Sequence, residues 1–276
     1  MPIRSAAIND LPQNAIAILG IPWDENSSFL RGSALAPDHI RQVLNDGASN
    51  MYSEAGTNLE TQANLVDIGN LSLNSDSAVE QIVGAISNGL GDGARFLCLG
   101  GDHAVSYPIL KAYTQRYERL NILHIDAHPD LYDEFDGNRL SHACPFSRVM
   151  ETGKVSRLVQ IGIRSVNDHL RQQIQRFQVE SYAVEGWTAD LVSSLTGPLY
   201  LSLDLDALDP AFAPGISHHE PGGLTTREVL SIIHSIQAPL IGADIVELNP
   251  KRDVYDMTAR LAAKFLREIA AKMLAS

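Results

Sequence analysis

Cysteine is nearly missing from this 276-residue chain: Cys98 and Cys144 stand alone, without CxxC spacing. A disulfide framework is therefore not what organises it, and a reducing compartment suits the sequence, so a cytoplasmic protein is expected. No apolar run reaches the roughly 18 residues that a membrane-spanning helix needs. Residues 1–10 have neither the basic start nor the apolar stretch of a secretory signal. No membrane partner is expected. Basic residues are scarce as well, 21 against 33 acidic, for a formal net charge of −12. Neutralising a phosphate backbone needs a basic stripe, and its absence argues against nucleic acid as a partner. Acidic charge can favour a cationic small molecule through its long-range field, although it equally serves solubility. Internal repeats, low-complexity tracts and linker-like stretches are also missing, so residues 1–276 read as one domain.

What the chain does have is a regular alternation of short apolar runs with helical patterns. Candidate strands are 15–20, 65–68, 95–99, 121–126, 157–163, 180–184, 199–204 and 240–247. Candidate helices are 38–44, 77–90, 106–116, 168–177, 226–236 and 257–274. Pro37 and Asp38 open one of them, and Thr225 to Glu228 forms a capping arrangement before another. Continuously apolar strands separated by helices predict an α/β fold, a parallel sheet covered on both faces. In such sheets ligands bind beyond the carboxyl ends of the strands.

Polar residues gather at those ends. One segment carries Gly100, Gly101, Asp102 and His103 after a strand, with glycines that allow a tight turn. A second carries Asp126, His128 and Asp130 at i, i+2 and i+4, a spacing that puts three side chains on one side of an extended backbone. A third carries Asp204 and Asp206 at i, i+2. Paired carboxylates leaving an apolar strand repel one another and resist desolvation unless a cation lies between them. Each segment alone also fits an ordinary loop. Together they supply four carboxylates and two imidazoles, too many ligands for one ion but suited to two that share aspartates. Carboxylates with imidazoles and no thiolate favour Mn²⁺ over Mg²⁺ and leave iron, cobalt and nickel open.

These stretches carry a resemblance. GGDHA (100–104), DAHPD (126–130), SLDLDALDPAFAPG (202–215) and GADIVELNP (242–250) are similar to the ureohydrolase superfamily of arginases and agmatinases. NSSFLRGSALAPDHIR (26–41), DGNRLSHA (136–143), IGIRSVN (161–167) and SHHEPGGLTTRE (217–228) resemble its plant-type arginase branch more closely. The resemblance implies a three-layer α/β/α fold around a parallel sheet of about eight strands. It implies two Mn²⁺ ions per subunit, one held by His103, Asp126, Asp130 and Asp204, the other by Asp126, His128, Asp204 and Asp206. Asp126 and Asp204 would bridge them.

By the same resemblance His142 is the proton-shuttling histidine, with an ordinary pKa near 6.5. Glu247 pairs with the substrate guanidinium, and Asp130 orients the attacking hydroxide and takes its proton. Asn138 and Asn167 lie where the amino-acid end of the substrate is contacted. His124 is expected to be a packed strand histidine, His218 and His219 exposed loop residues. Two expected departures are Ala104, where the family has serine, and Cys144 with Pro145 after His142. The implied reaction is hydrolysis of a small cationic guanidino compound to urea and an amine, arginine first and agmatine second. A homotrimer or homohexamer is implied too. A two-metal phosphoesterase is disfavoured because cationic groups usually clamp a phosphate and these loops are acidic. A non-catalytic relative would have lost ligands, and none is lost.

Overall fold

The computed structural model describes residues 3–276. Its elements in chain order are β1 (Arg4–Ser5), β2 (Ile16–Ile21), α1 (Ala36–Leu44), β3 (Leu65–Asn70), α2 (Ala78–Gly91), β4 (Arg95–Gly100), α3 (Ser106–Arg116), β5 (Leu120–Ile125), α4 (Pro145–Met150), β6 (Val155–Ile161), α5 (Asp168–Phe177), β7 (Glu180–Tyr182), α6 (Ala189–Ser193), β8 (Leu199–Asp204), α7 (Thr226–Ser235), β9 (Leu240–Val246) and α8 (Met257–Leu274). The strands form one sheet in the order β1-β3-β2-β4-β9-β8-β5-β6-β7, and every pairing is parallel.

Period-2 alternation divides each inner strand between two cores. In β4, Leu97 and Leu99 face the layer containing α1, α6, α7 and α8, while Phe96 and Cys98 face the layer of α2, α3, α4 and α5. In β5 the same split sends Leu123 and Ile125 one way and Leu120 and Ile122 the other. Both faces are dry, so these strands are apolar throughout, as a doubly covered parallel sheet requires. The three-layer α/β/α arrangement is therefore present.

All eight expected strands and all six expected helices occur within a residue or two of their ends. The sheet has a ninth strand: β1 is an exposed two-residue edge with no apolar run to announce it. α4 and α6, six and five residues long, are too short to show a helical period. At α7, Thr225 and Glu228 make the full reciprocal capping box, a device worth about 1 kcal/mol.

For function the decisive feature is the strand order. β4, β9, β8 and β5 are consecutive neighbours at the sheet centre. The expected ligand segments follow β4, β5 and β8, and Glu247 follows β9, so four adjacent strand ends deliver their polar residues to one place.

Candidate metal centre

His103 is reached from β4 through Gly100 and Gly101. What requires glycine at 101 is proximity more than a turn: a Cβ there would sit 2.0 Å from the Trp23 carbonyl oxygen. β5 ends at Ile125, before Asp126, and Asp130 has φ +51°. The segment thus leaves the extended backbone that the spacing predicts, and its last member, Asp130, sits in the left-handed region. Asp204 closes β8, while Asp206 lies in a short 3-10 turn, Leu205–Ala207, whose backbone N–H donates to Asp204 Oδ1 at 2.7 Å.

Two clusters result. His103 Nδ1 lies 3.1 Å from Asp126 Oδ2, 2.9 Å from Asp130 Oδ2 and 3.1 Å from Asp204 Oδ2. His128 Nδ1 lies 3.0 Å from Asp206 Oδ2 and 3.5 Å from Asp126 Oδ1. Asp126 therefore turns one carboxylate oxygen to each cluster. Asp204 turns Oδ2 to His103, while its Oδ1 accepts the Asp206 N–H just as Asp126 Oδ1 accepts the His128 N–H.

His103 Nδ1 is fully buried and makes no hydrogen bond of acceptable geometry, although three carboxylate oxygens surround it. Donors aimed at a shared point instead of at one another are what ligands of a common cation look like. The electrostatics agree. Burial and the charges of Asp206 and Asp126 push the Asp204 carboxyl well above its usual range, and burial with Asp126 raises Asp206 to about 6. Burial would also raise Asp126, but His124, His103 and His128 hold it well below the usual range. Burial would lower His128, yet Asp206 and Asp126 push it up to about 12. Carboxylates packed this closely demand positive charge, and a hard divalent cation suits O and N donors without thiolate.

Beside the clusters is a cavity of about 180 Å³ lined by His128, Asp130, Asp204, Asp206, His142 and Glu247. Tyr132 and Phe135 form part of its wall. Glu247 has φ +67°, a strained conformation for a side chain of this type, and its Oε1 accepts from His103 N and from His142 Nδ1, both at 2.9 Å. Burial alone would lower His142, but Glu247 holds it at about 9, well above the ordinary histidine value. At neutral pH it is therefore a proton donor.

The remaining expected residues sit as follows. Asn138 is exposed; its Nδ2 donates to Asn26 Oδ1 at 2.9 Å, and its Oδ1 accepts from Leu140 N at 2.8 Å. Asn167 caps α5 by accepting from Leu170 N and donates to the Tyr132 hydroxyl at 2.6 Å. Neither asparagine lines the cavity itself; Asn167 reaches it through Tyr132. His124 is packed against Phe146, ring centroids 3.9 Å apart. The Gln160 amide donates to Pro129 O and to His124 Nδ1, which leaves His124 Nε2–H to donate to Asp126 Oδ2 at 2.7 Å. His219 is exposed, but His218 is half-buried and lines the cavity. Cys98 and Cys144 are buried free thiols, with burial raising Cys98 far above and Cys144 to about 12, so neither is a nucleophile.

Three groups lie inside the stretches that carry the resemblance but have no role assigned to them by the sequence. Asp244, buried on β9, accepts from the Ser106, Tyr200 and Ser202 hydroxyls, and Ser202 also lies 3.0 Å from His103 Nε2. Asp102 accepts from Asn26 N, Ser27 Oγ and Ala104 N, and burial together with the Glu247 charge raises it to about 7. Ser28 Oγ lies 2.8 Å from His142 Nε2.

The arginase family model matches residues 14–271. The chain belongs to the arginase family. Arginase 1 of Arabidopsis thaliana is 45% identical over 276 aligned residues, covering 93% of this chain and 80% of the relative. An agmatinase of Bacillus anthracis is 33% identical over 93% of this chain and 91% of its own length. The solved arginase of Medicago truncatula superposes with a TM-score of 0.89 at 38% identity, covering 95% of this chain and 88% of that one. The family membership makes the chain a ureohydrolase-type enzyme, as its motifs imply. The expected cytoplasmic location does not stand: the Arabidopsis relatives are named mitochondrial and chloroplastic/mitochondrial arginases. Two unpaired thiols are compatible with any reducing compartment, so they never discriminated between these places.

Proposed function

We propose that this arginase-family enzyme hydrolyses L-arginine to ornithine and urea with two manganese ions held by His103, Asp126, Asp130 and Asp204 and by Asp126, His128, Asp204 and Asp206. The observation that carries the reading is Asp126, whose two carboxylate oxygens face two separate histidine-carboxylate clusters. When bound, the ion pair supplies Lewis-acid charge and makes water acidic enough to attack near neutral pH. The planar guanidinium enters between the clusters and Glu247. Both hydrogen bonds on Glu247 fall on Oε1, so its second oxygen is the acceptor for the guanidinium N–H groups and aims the carbon. Asp130, on the cavity wall, orients the attacking oxygen and takes its proton. His142 gives a proton to the leaving amine nitrogen, which cannot depart as an anion.

Residues 1–276 act as one ureohydrolase domain in a homotrimer or homohexamer. Incubating the Mn²⁺-loaded protein with L-arginine and, separately, agmatine tests the substrate. Urea with ornithine supports the assignment, whereas urea with putrescine alone moves it to agmatine, the substrate of the more distant agmatinase relative. Metal analysis tests the centre: about two ions per chain are expected, and Asp126→Ala should lose metal and nearly all turnover because it removes donors from both clusters.

A further inference from the structure

His142 is buried, yet a histidine that gives away a proton in each turnover must regain one. Its Nδ1 faces the Glu247 carboxylate, an acceptor, so Nδ1 keeps its hydrogen and the exchangeable position is Nε2. The atom at Nε2 is the Ser28 hydroxyl, 2.8 Å away. Ser28 comes from a distant segment of the chain, the loop after β2, and it is exposed where His142 is not. It lines both the inner cavity and the wider mouth formed with Phe29, Asp136 and Glu220.

The loop that carries Ser28 is fastened at several points. Asp102 accepts from Asn26 N and Ser27 Oγ, Asn26 O accepts from His142 N at 3.1 Å, and Asn26 Oδ1 accepts from Asn138. Ser28 is thereby held against the imidazole by backbone and side-chain bonds at the two residues that precede it. A hydroxyl both donates and accepts. It satisfies Nε2 when His142 is neutral, by donating, and when His142 is charged, by accepting.

We infer that Ser28 relays the proton of His142: the imidazole lines the cavity, but its Nε2 is paired with Ser28, so exchange at that atom passes through the Ser28 hydroxyl, in a chain Ser28–His142–Glu247. During the forward step the Nε2–H bond breaks as a new O–H bond forms on Ser28, whose original O–H proton moves to the leaving amine. One proton leaves His142 and one N–H bond forms on the amine. For reloading, a water at the mouth gives a proton to Ser28 Oγ, which returns its own to Nε2 and leaves hydroxide for the buffer to neutralise. Asn138 acts here as a positioning residue through Asn26, a different duty from contacting the substrate.

This inference rests on the guanidino reading and is tested on the Mn²⁺-loaded enzyme with Ser28→Ala and Ser28→Thr. General acid–base groups contribute 10²–10⁴-fold, and part of that should be lost: Ser28→Ala is expected to lower kcat roughly 10–100-fold with KM within about twofold. Ser28→Thr, which keeps the hydroxyl, should return to within about threefold of the parent. Added imidazole should raise kcat of Ser28→Ala in a saturable manner and leave the parent unchanged, a response that a merely structural serine would not produce. An active parent with undiminished kcat in Ser28→Ala overturns the relay alone. So does an equal loss in Ser28→Thr, or a rise in KM at constant kcat. A parent that releases urea from no guanidino compound overturns the guanidino reading and the relay with it.

Discussion

At the scale of single residues the site is held by conformations and contacts that tolerate little change. Gly101 is the sharpest case, because its missing Cβ is where the Trp23 carbonyl oxygen sits, 2.0 Å from the ideal position. Both sides of that clash are backbone, so nothing can rotate away. Gly101→Ala should cost on the order of 1–3 kcal/mol by overpacking and should lower kcat as His103 shifts; a denaturation midpoint equal to the parent's would contradict the account. His142 gives a second prediction. Its folded value of about 9 lies above the ordinary 6.5 because the Glu247 carboxylate faces Nδ1. A raised histidine stabilises the fold fully below its unfolded value, and that stabilisation disappears as pH rises through the folded one. In metal-free protein, the stability difference between parent and Glu247→Gln should therefore be largest near pH 6 and shrink towards about pH 9.5. A difference that stays constant in urea melts across that range would remove Glu247 as the cause. Single residues also mark the limits of sequence reading. Carboxylates and a histidine at i, i+2 spacing after apolar strands single out Asp126, His128, Asp130, Asp204 and Asp206 as candidates once the segments are taken together. Ser28 is one hydroxyl in a loop and becomes meaningful only when folding brings it to His142.

At the scale of elements, periodicity revealed every long strand and helix because each buries a continuous or amphipathic face. It missed β1, α4 and α6, which are too short to repeat a period. Nor could it order the strands: that β4, β9, β8 and β5 lie side by side depends on long-range pairing, and the site exists only because of it. Between elements, ion pairs add to apolar contact, as they do around Glu54. Glu54 receives the Arg227 guanidinium of α7 through both carboxylate oxygens and lies 3.2 Å from Lys264 of α8, while its backbone N–H donates to the buried Glu268. The hydrogen bonds from Arg227 hold the Glu54 carboxyl down at about 2, against the opposing effect of burial. A depressed carboxylate stabilises the fold above its unfolded value near 4.5, and that contribution is lost as pH falls towards about 2. Glu54→Gln should therefore remove that contribution at pH 7, by an amount kept modest by the pair's partial exposure, and flatten the acid limb in that window, so that parent and variant converge near pH 2. An acid limb of unaltered steepness would show that Glu54 does not tie the 51–61 loop to the helices in solution.

On the scale of the whole molecule, the exposed apolar surface and the buried charge both ask for partners. Tyr255 is 92% exposed between exposed Val254 and Met257, and a 2.9 Å bond from His39 Nε2 to Asp256 Oδ1 fixes this loop against α1. Such residues are expected at a contact between copies, so light scattering should find a trimer or hexamer, and Tyr255→Asp should shift it towards monomer with the metal content unchanged. A monomeric parent would take the oligomer out of the account. The buried charge calls for a cation. Asp126, Asp130, Asp204 and Asp206 are all buried within one small volume, and in the absence of a cation their repulsion opposes the fold. An ion that binds only the folded state adds RT ln(1 + [L]/Kd), so Mn²⁺ at a hundredfold excess over its Kd should stabilise the chelator-treated protein by about 2.7 kcal/mol for each site filled. That gain should disappear in Asp126→Asn, which weakens donors to both clusters at once, whereas Glu247→Ala should keep it and lose turnover. If Asp126→Asn melted with the same Mn²⁺-dependent rise as the parent, the cation would be binding elsewhere and the two clusters would be no more than a crowded network of buried charges.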